Sequence, residues 1–86
     1  MTDALHDTIR RFILENYLFT DDLAQLGLDD SLLGRGIVDS TGMLEVITFL
    51  ESEYGISIDD AEMTPDNLET IDRIANFVSK KQSAAR

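Results

Sequence analysis

Between Asp3 and Phe19 the apolar residues Leu5, Ile9, Phe12, Ile13 and Tyr17 recur every three or four positions, with Asp7, Arg10, Arg11 and Glu15 on the other faces. That period is one side of an α-helix, so the pattern predicts a first helix over this stretch. It resumes at Ser40, where Met43, Val46, Ile47, Leu50 and Tyr54 form a second buried stripe and Gly55 stands where a left-handed C-terminal cap would sit. A last helix is predicted from about Thr70, burying Ile71, Ile74, Ala75 and Val78. Lys80 and Lys81 near its end complement the negative pole of its dipole. Beyond Gln82 the small polar tail is expected to fray.

The intervening segments read differently. Thr20 to Asp39 carries glycines, aspartates and scattered leucines, and predicts a long loop with one helical turn near Asp21 to Gln25. Loops of this length in compact domains are uncommon and usually functional. Ile56 and Ile58 alternate with Ser57 as in a strand, but no partner strand is available, so they are expected to anchor a connection to the core. Pro65, followed by Asp66 and by Glu69 three positions on, predicts a short third helix opened by a capping box. Three substantial helices and one short one predict an all-α fold, a small antiparallel four-helix bundle, with residues 1–86 forming a single domain.

Size and charge narrow the function. A chain of 86 residues buries roughly 60 to 70 per cent of its unfolded surface, enough for one modest core and no deep catalytic cavity. With 17 acidic against 7 basic side chains the net charge is −10. Nucleic acid is therefore a poor partner, since phosphate binding requires Lys and Arg to displace counterions, and an anionic membrane surface is disfavoured likewise. Partners with basic patches are favoured, and their approach should be steered electrostatically. There is no cysteine and one histidine, His6, so thiolate and zinc chemistry are absent and no metal site is expected. No apolar run could span a bilayer, the amino terminus lacks a secretory pattern, and cytoplasm is the expected compartment.

The chemistry is concentrated in Gly36-Ile37-Val38-Asp39-Ser40-Thr41-Gly42-Met43-Leu44-Glu45, which places a serine where a glycine-containing loop meets an amphipathic helix. Unpaired N–H groups and the positive dipole end make that junction favourable for a phosphate on the hydroxyl. An isolated Asp-Ser pair would more simply be a helix cap and its neighbour. Leu44 lies off the buried stripe, as an ordinary half-exposed leucine or as an apolar docking contact. Glu45, Glu51 and Glu53 have no basic counterpart between Asp39 and Gly55. A solvated face is the usual meaning of such a run.

Taken together, Asp30-Ser31-Leu32-Leu33, Gly36 to Ser40, Leu44-Glu45, Phe49 to Ile56, Thr64 to Leu68 and Thr70 to Ile74 resemble the acyl carrier protein family over nearly the whole chain. The resemblance implies a non-catalytic shuttle. Ser40, preceded by Asp39, would receive a covalent 4'-phosphopantetheine arm from a phosphopantetheinyl transferase. It also implies a partner-facing surface on the second helix, comprising Thr41, Leu44, Glu45, Thr48 and Glu51, and a monomer serving fatty acid, polyketide or related biosynthesis. The chain departs from the family at Thr41, where leucine is usual, at Gly42, where fatty-acid carriers often have an acid, and at Thr48, often methionine. Free-standing carriers loaded by a separate adenylating ligase, including aminoacyl and D-alanyl carriers, look about equally similar. An arm-less adaptor of the same fold is the rival from another class, and the intact Asp39-Ser40 pair argues against it.

Gly34-x-Gly36 lacks the context of a dinucleotide site, the acids Asp29, Asp30, Asp59 and Asp60 lack calcium-loop spacing, and nothing fixes Ser40, His6 and an aspartate as a triad.

Overall fold

The computed structural model describes residues 4–84. Helix α1 (Ala4–Ile13) continues into a widened π turn (Leu14–Leu18), and a single 3₁₀ turn (Leu23–Gln25) follows. After the long loop come α2 (Ser40–Tyr54), a second 3₁₀ turn (Asp60–Glu62), the short α3 (Pro65–Leu68) and α4 (Ile71–Ala84). Among the described residues there is no strand, and α4 packs against α1, α2 and α3. This is the all-α bundle of three main helices and one short one that the periodicity predicts. Asp3, the predicted start of the first helix, lies outside the described residues.

The predicted stripes supply most of the core, joined by Leu14, which the first stripe did not include, while Leu5 and Tyr17 are only partly buried. Ile9, Ile13 and Leu14 from the first helix and its π turn meet Val46, Ile47 and Leu50 of α2 and Ile71, Ile74 and Val78 of α4 in one buried cluster. Ile56 and Ile58 are buried and anchor the α2–α3 connection, as expected. Tyr54 and Phe12 pack on the cluster from its edge, half-buried. Gly55 caps α2 at φ 64°, in the left-handed region that glycine enters without a Cβ clash.

The long loop is held at both ends. Leu26, Leu32 and Val38 are buried, the Leu32 N–H donates to the Glu69 carbonyl at 2.9 Å, and the Asp72 N–H donates to the Leu28 carbonyl at 3.1 Å. Asp30 accepts from the Gly27 N–H at 2.7 Å and from Arg35 at 2.6 Å. These bonds pin the loop across the α3–α4 junction, and it ends at Asp39, the cap of α2.

Two local expectations are corrected. The capping box belongs to Asp59 and Glu62, over the second 3₁₀ turn, with the Asp59 N–H donating to Glu62 Oε1 at 3.0 Å. Helix α3 is preceded instead by Thr64 without a side-chain cap, and Pro65 at its first position removes an N–H that would need one. The tail does not fray directly after Gln82, because α4 continues through Ser83 and Ala84.

Candidate functional site

Helix α2 begins with a division of labour between two adjacent residues. Asp39 is extended (φ −91°, ψ −176°) and is the cap: its carboxylate accepts from the Gly42 N–H at 2.7 Å. Its carbonyl takes the first helical bond, from the Met43 N–H at 2.8 Å. Ser40 is the first helical residue and is exposed, so capping makes no demand on its hydroxyl. The helix start meets the requirement for a phosphate on that hydroxyl: a surface position, the positive dipole end and a backbone anchored by Asp39.

Ser40 stands at the rim of an apolar groove of about 200 Å³ between α2 and the α3 region. Its walls include Leu33, Met43, Leu44, Ile47, Met63 and Leu68. On the α1 side a second recess, of about 360 Å³, is bordered by Tyr17, Asp39, Thr41 and Glu45.

The other residues marked for partner contact are arranged as follows. Leu44 is 56 % exposed although α2 buries Met43, Val46, Ile47 and Leu50 around it. Thr41 and Thr48 are exposed, and the Thr48 hydroxyl donates to the Leu44 carbonyl at 3.0 Å. Glu45 is exposed and accepts the Tyr17 hydroxyl at 2.6 Å. Glu51 is half-buried and accepts the Ile58 N–H at 2.9 Å, so it also ties the α2–α3 connection to the helix. Among the described residues there is no group of three or more His, Cys, Asp or Glu placed to hold a metal ion.

Sequence reasoning missed several features here. Tyr17 reads from its spacing as a core residue, yet its phenol reaches the first turns of α2. Leu33 and Met63 line the groove from loops that periodicity does not read. Phe19, 83 % exposed with φ 54°, ends the π turn in a conformation that a bulky side chain seldom adopts. A glycine inside a helical pattern, Gly42, was the signal for a close approach at α2.

Over 67 residues the chain is 33 % identical to the D-alanyl carrier protein of Streptococcus pyogenes serotype M1, covering 78 % of this chain and 84 % of that protein. The D-alanyl carrier protein of serotype M5 (strain Manfredo) matches to the same extent, 33 % over 67 residues. The chain belongs to the phosphopantetheine-binding carrier proteins. No family model matches it. The fold agrees: a holo acyl carrier protein from Nitrosomonas europaea, solved by NMR in solution, superposes with TM-score 0.74 at 31 % identity, over 94 % of this chain and 99 % of that one. Members of this carrier family are not enzymes, and this carrier is none. No helix among the described residues is long and apolar enough to cross a membrane.

Proposed function

We propose that Ser40 carries the family's 4'-phosphopantetheine arm and that the chain, as a single carrier domain, shuttles a small acyl or aminoacyl group between cytoplasmic enzymes. The observation carrying this reading is the start of α2, where Asp39 does the capping and leaves an exposed serine beside an apolar groove. When bound, the arm supplies a terminal thiol on which cargo is held as a thioester. The chain's own residues do the rest. Asp39 fixes the turn by holding the Gly42 N–H. As the arm is attached, the Ser40 oxygen forms a phosphodiester bond to the pantetheine-bearing phosphorus and the pyrophosphate P–O bond of coenzyme A breaks. The adenosine bisphosphate half leaves with the electron pair, and the hydroxyl proton passes to the transferase or solvent. The first-turn dipole favours the phosphate's charge.

Two observations favour a small cargo loaded by a separate adenylating ligase over a long fatty acyl chain. The relatives are named D-alanyl carrier proteins. The groove of about 200 Å³ is smaller than the roughly 300 to 1,000 Å³ that encloses a drug-sized ligand. Docking is assigned to Leu44 as the apolar contact, Glu45 as a steering charge, and Thr41, Thr48 and Glu51 around them. The partners are a phosphopantetheinyl transferase and a loading ligase with basic surfaces.

Incubation with a phosphopantetheinyl transferase and coenzyme A, followed by intact mass spectrometry, tests the reading. Wild type should gain one phosphopantetheinyl group and Ser40→Ala none. A wild type that gains nothing would point to the arm-less adaptor.

A further inference from the structure

Tyr17 has no part in the arm, yet its surroundings are built around the residues that have. The π turn at Leu14–Leu18 widens the end of the first helix and brings the Tyr17 ring onto α2. The ring lies so close to Gly42 that a Cβ there would come within 3.1 Å of Tyr17 Cε1 and 3.0 Å of Val38 Cγ1. Any larger residue there would require Val38, the Tyr17 ring and the Asp39 carboxylate, 3.2 Å from the same point, to give way by a few tenths of an ångström. The phenol then stands 2.6 Å from Glu45 Oε1 and 3.0 Å from the Gly42 carbonyl. One phenolic hydrogen serves both acceptors, and the shorter, charge-assisted bond to the carboxylate is the stronger.

We propose that Tyr17 is a positioning residue for partner docking: it clamps Glu45 against the first turns of α2, so that a basic partner side chain meets the charge at a fixed place beside Ser40. This rests on the reading of Ser40 and Glu45 given above. The clamp takes one lone pair of a carboxylate that has about four acceptor sites, so Glu45 can still receive a Lys or Arg. Fixing the side chain in advance removes an ordering cost from docking, an effect on the order of 3- to 10-fold in apparent affinity. Burial, followed by the hydrogen bond with Glu45 and the charges of Glu45 and Asp39, pushes the Tyr17 phenol up to about 12. It therefore stays protonated, and a donor, at any ordinary pH.

A purely structural tyrosine would alter stability and leave docking alone, and the kinetics of arm transfer separate the two. With a phosphopantetheinyl transferase and coenzyme A, KM and kcat would be measured against carrier concentration. The variants are wild type, Tyr17→Phe, Glu45→Gln and the double variant, with Tm recorded for each. Tyr17→Phe keeps the ring and should raise KM about 3- to 10-fold with kcat within about twofold of wild type. Glu45→Gln should raise KM as well, and the double variant should be no worse than Glu45→Gln, because Tyr17 acts through that carboxylate. The proposal is overturned if either Tyr17→Phe or Glu45→Gln folds and keeps the wild-type KM, or if Tyr17→Phe adds its full factor on top of Glu45→Gln. A wild type that accepts no arm is a different failure: it removes the Ser40 reading and this proposal with it.

Discussion

Leu44 and Leu50 share helix α2 and differ in what surrounds them. Leu50 is fully buried in the core, while Leu44 is 56 % exposed at the rim of the groove beside Ser40. Truncating Leu50 leaves a cavity that costs about 2 to 5 kcal/mol, whereas an exposed position away from caps and networks changes stability by only about 0.5 kcal/mol. Leu50→Ala should therefore lower Tm by roughly 10 °C or more, and Leu44→Ala should leave it near wild type. The damage from Leu44→Ala should appear in slower arm transfer or loading. Thermal melts read beside transferase rates check this: a Leu44→Ala protein that melts as low as Leu50→Ala makes Leu44 core, and one that loads at the wild-type rate makes it a bystander. The same contrast applies to Asp39 and Ser40, adjacent residues of which one caps the helix and the other, exposed, is the proposed attachment site.

Elements are joined by a few polar ties laid over the common core. Lys81 on α4 donates to Glu62 of the second 3₁₀ turn at 2.9 and 3.1 Å, and the Asn67 amide donates to the Glu62 carbonyl at 2.9 Å. The Asp59 N–H first, and Lys81 second, hold the Glu62 carboxyl below its ordinary value of 4.5. An acid whose folded value is depressed stabilises the fold fully above its unfolded value, and that contribution disappears as pH falls through the folded value. The Tm difference between wild type and Glu62→Gln should thus be positive near neutrality and close as the pH is taken below about 4.5. Thermal melts across pH check this, and a gap that widens on acidification would contradict it. The helices themselves were legible because each buries one stripe, and a stripe repeats locally: Met43, Val46, Ile47 and Leu50 announce α2, and Gly55 its end. The ends of the short elements were less so, since Asp59/Glu62 and Asp66/Glu69 carry the same spacing and only packing decides which pair forms the box. The π turn was not legible, and Gly42 signalled a close approach at α2 without telling what approaches, since Tyr17 lies 25 residues away along the chain. The exposure of Leu44 was legible as a phase, off the buried stripe, but Glu51's tie to Ile58 depends on how the α2–α3 connection folds back.

Over the whole molecule, a net charge of −10 is confined to a body with a radius of gyration of 12.0 Å. Arg35, Arg73 and Lys81 already face Asp30, Asp66 and Glu62, so they offer little to the acids of α2. Self-repulsion should lower stability at low ionic strength, and salt screens it beyond about 10 Å at 0.1 M. Raising the salt from a few millimolar, or adding millimolar divalent cation, should increase Tm by several degrees, on the order of 4 to 8 °C for each kcal/mol recovered. A Tm indifferent to both, followed by calorimetry, would mean that the acids are balanced locally. Under the proposed function the same charge directs the carrier towards basic enzymes, and only an arm at one place makes that approach productive. The most direct test is to locate the modification itself. After treatment with transferase and coenzyme A, tryptic cleavage yields the peptide Gly36 to Arg73, and fragmentation should place the phosphopantetheinyl mass on Ser40. Fragments that put it on Thr41 or on any other hydroxyl of that peptide, or an unmodified Gly36 to Arg73 peptide, would contradict the account.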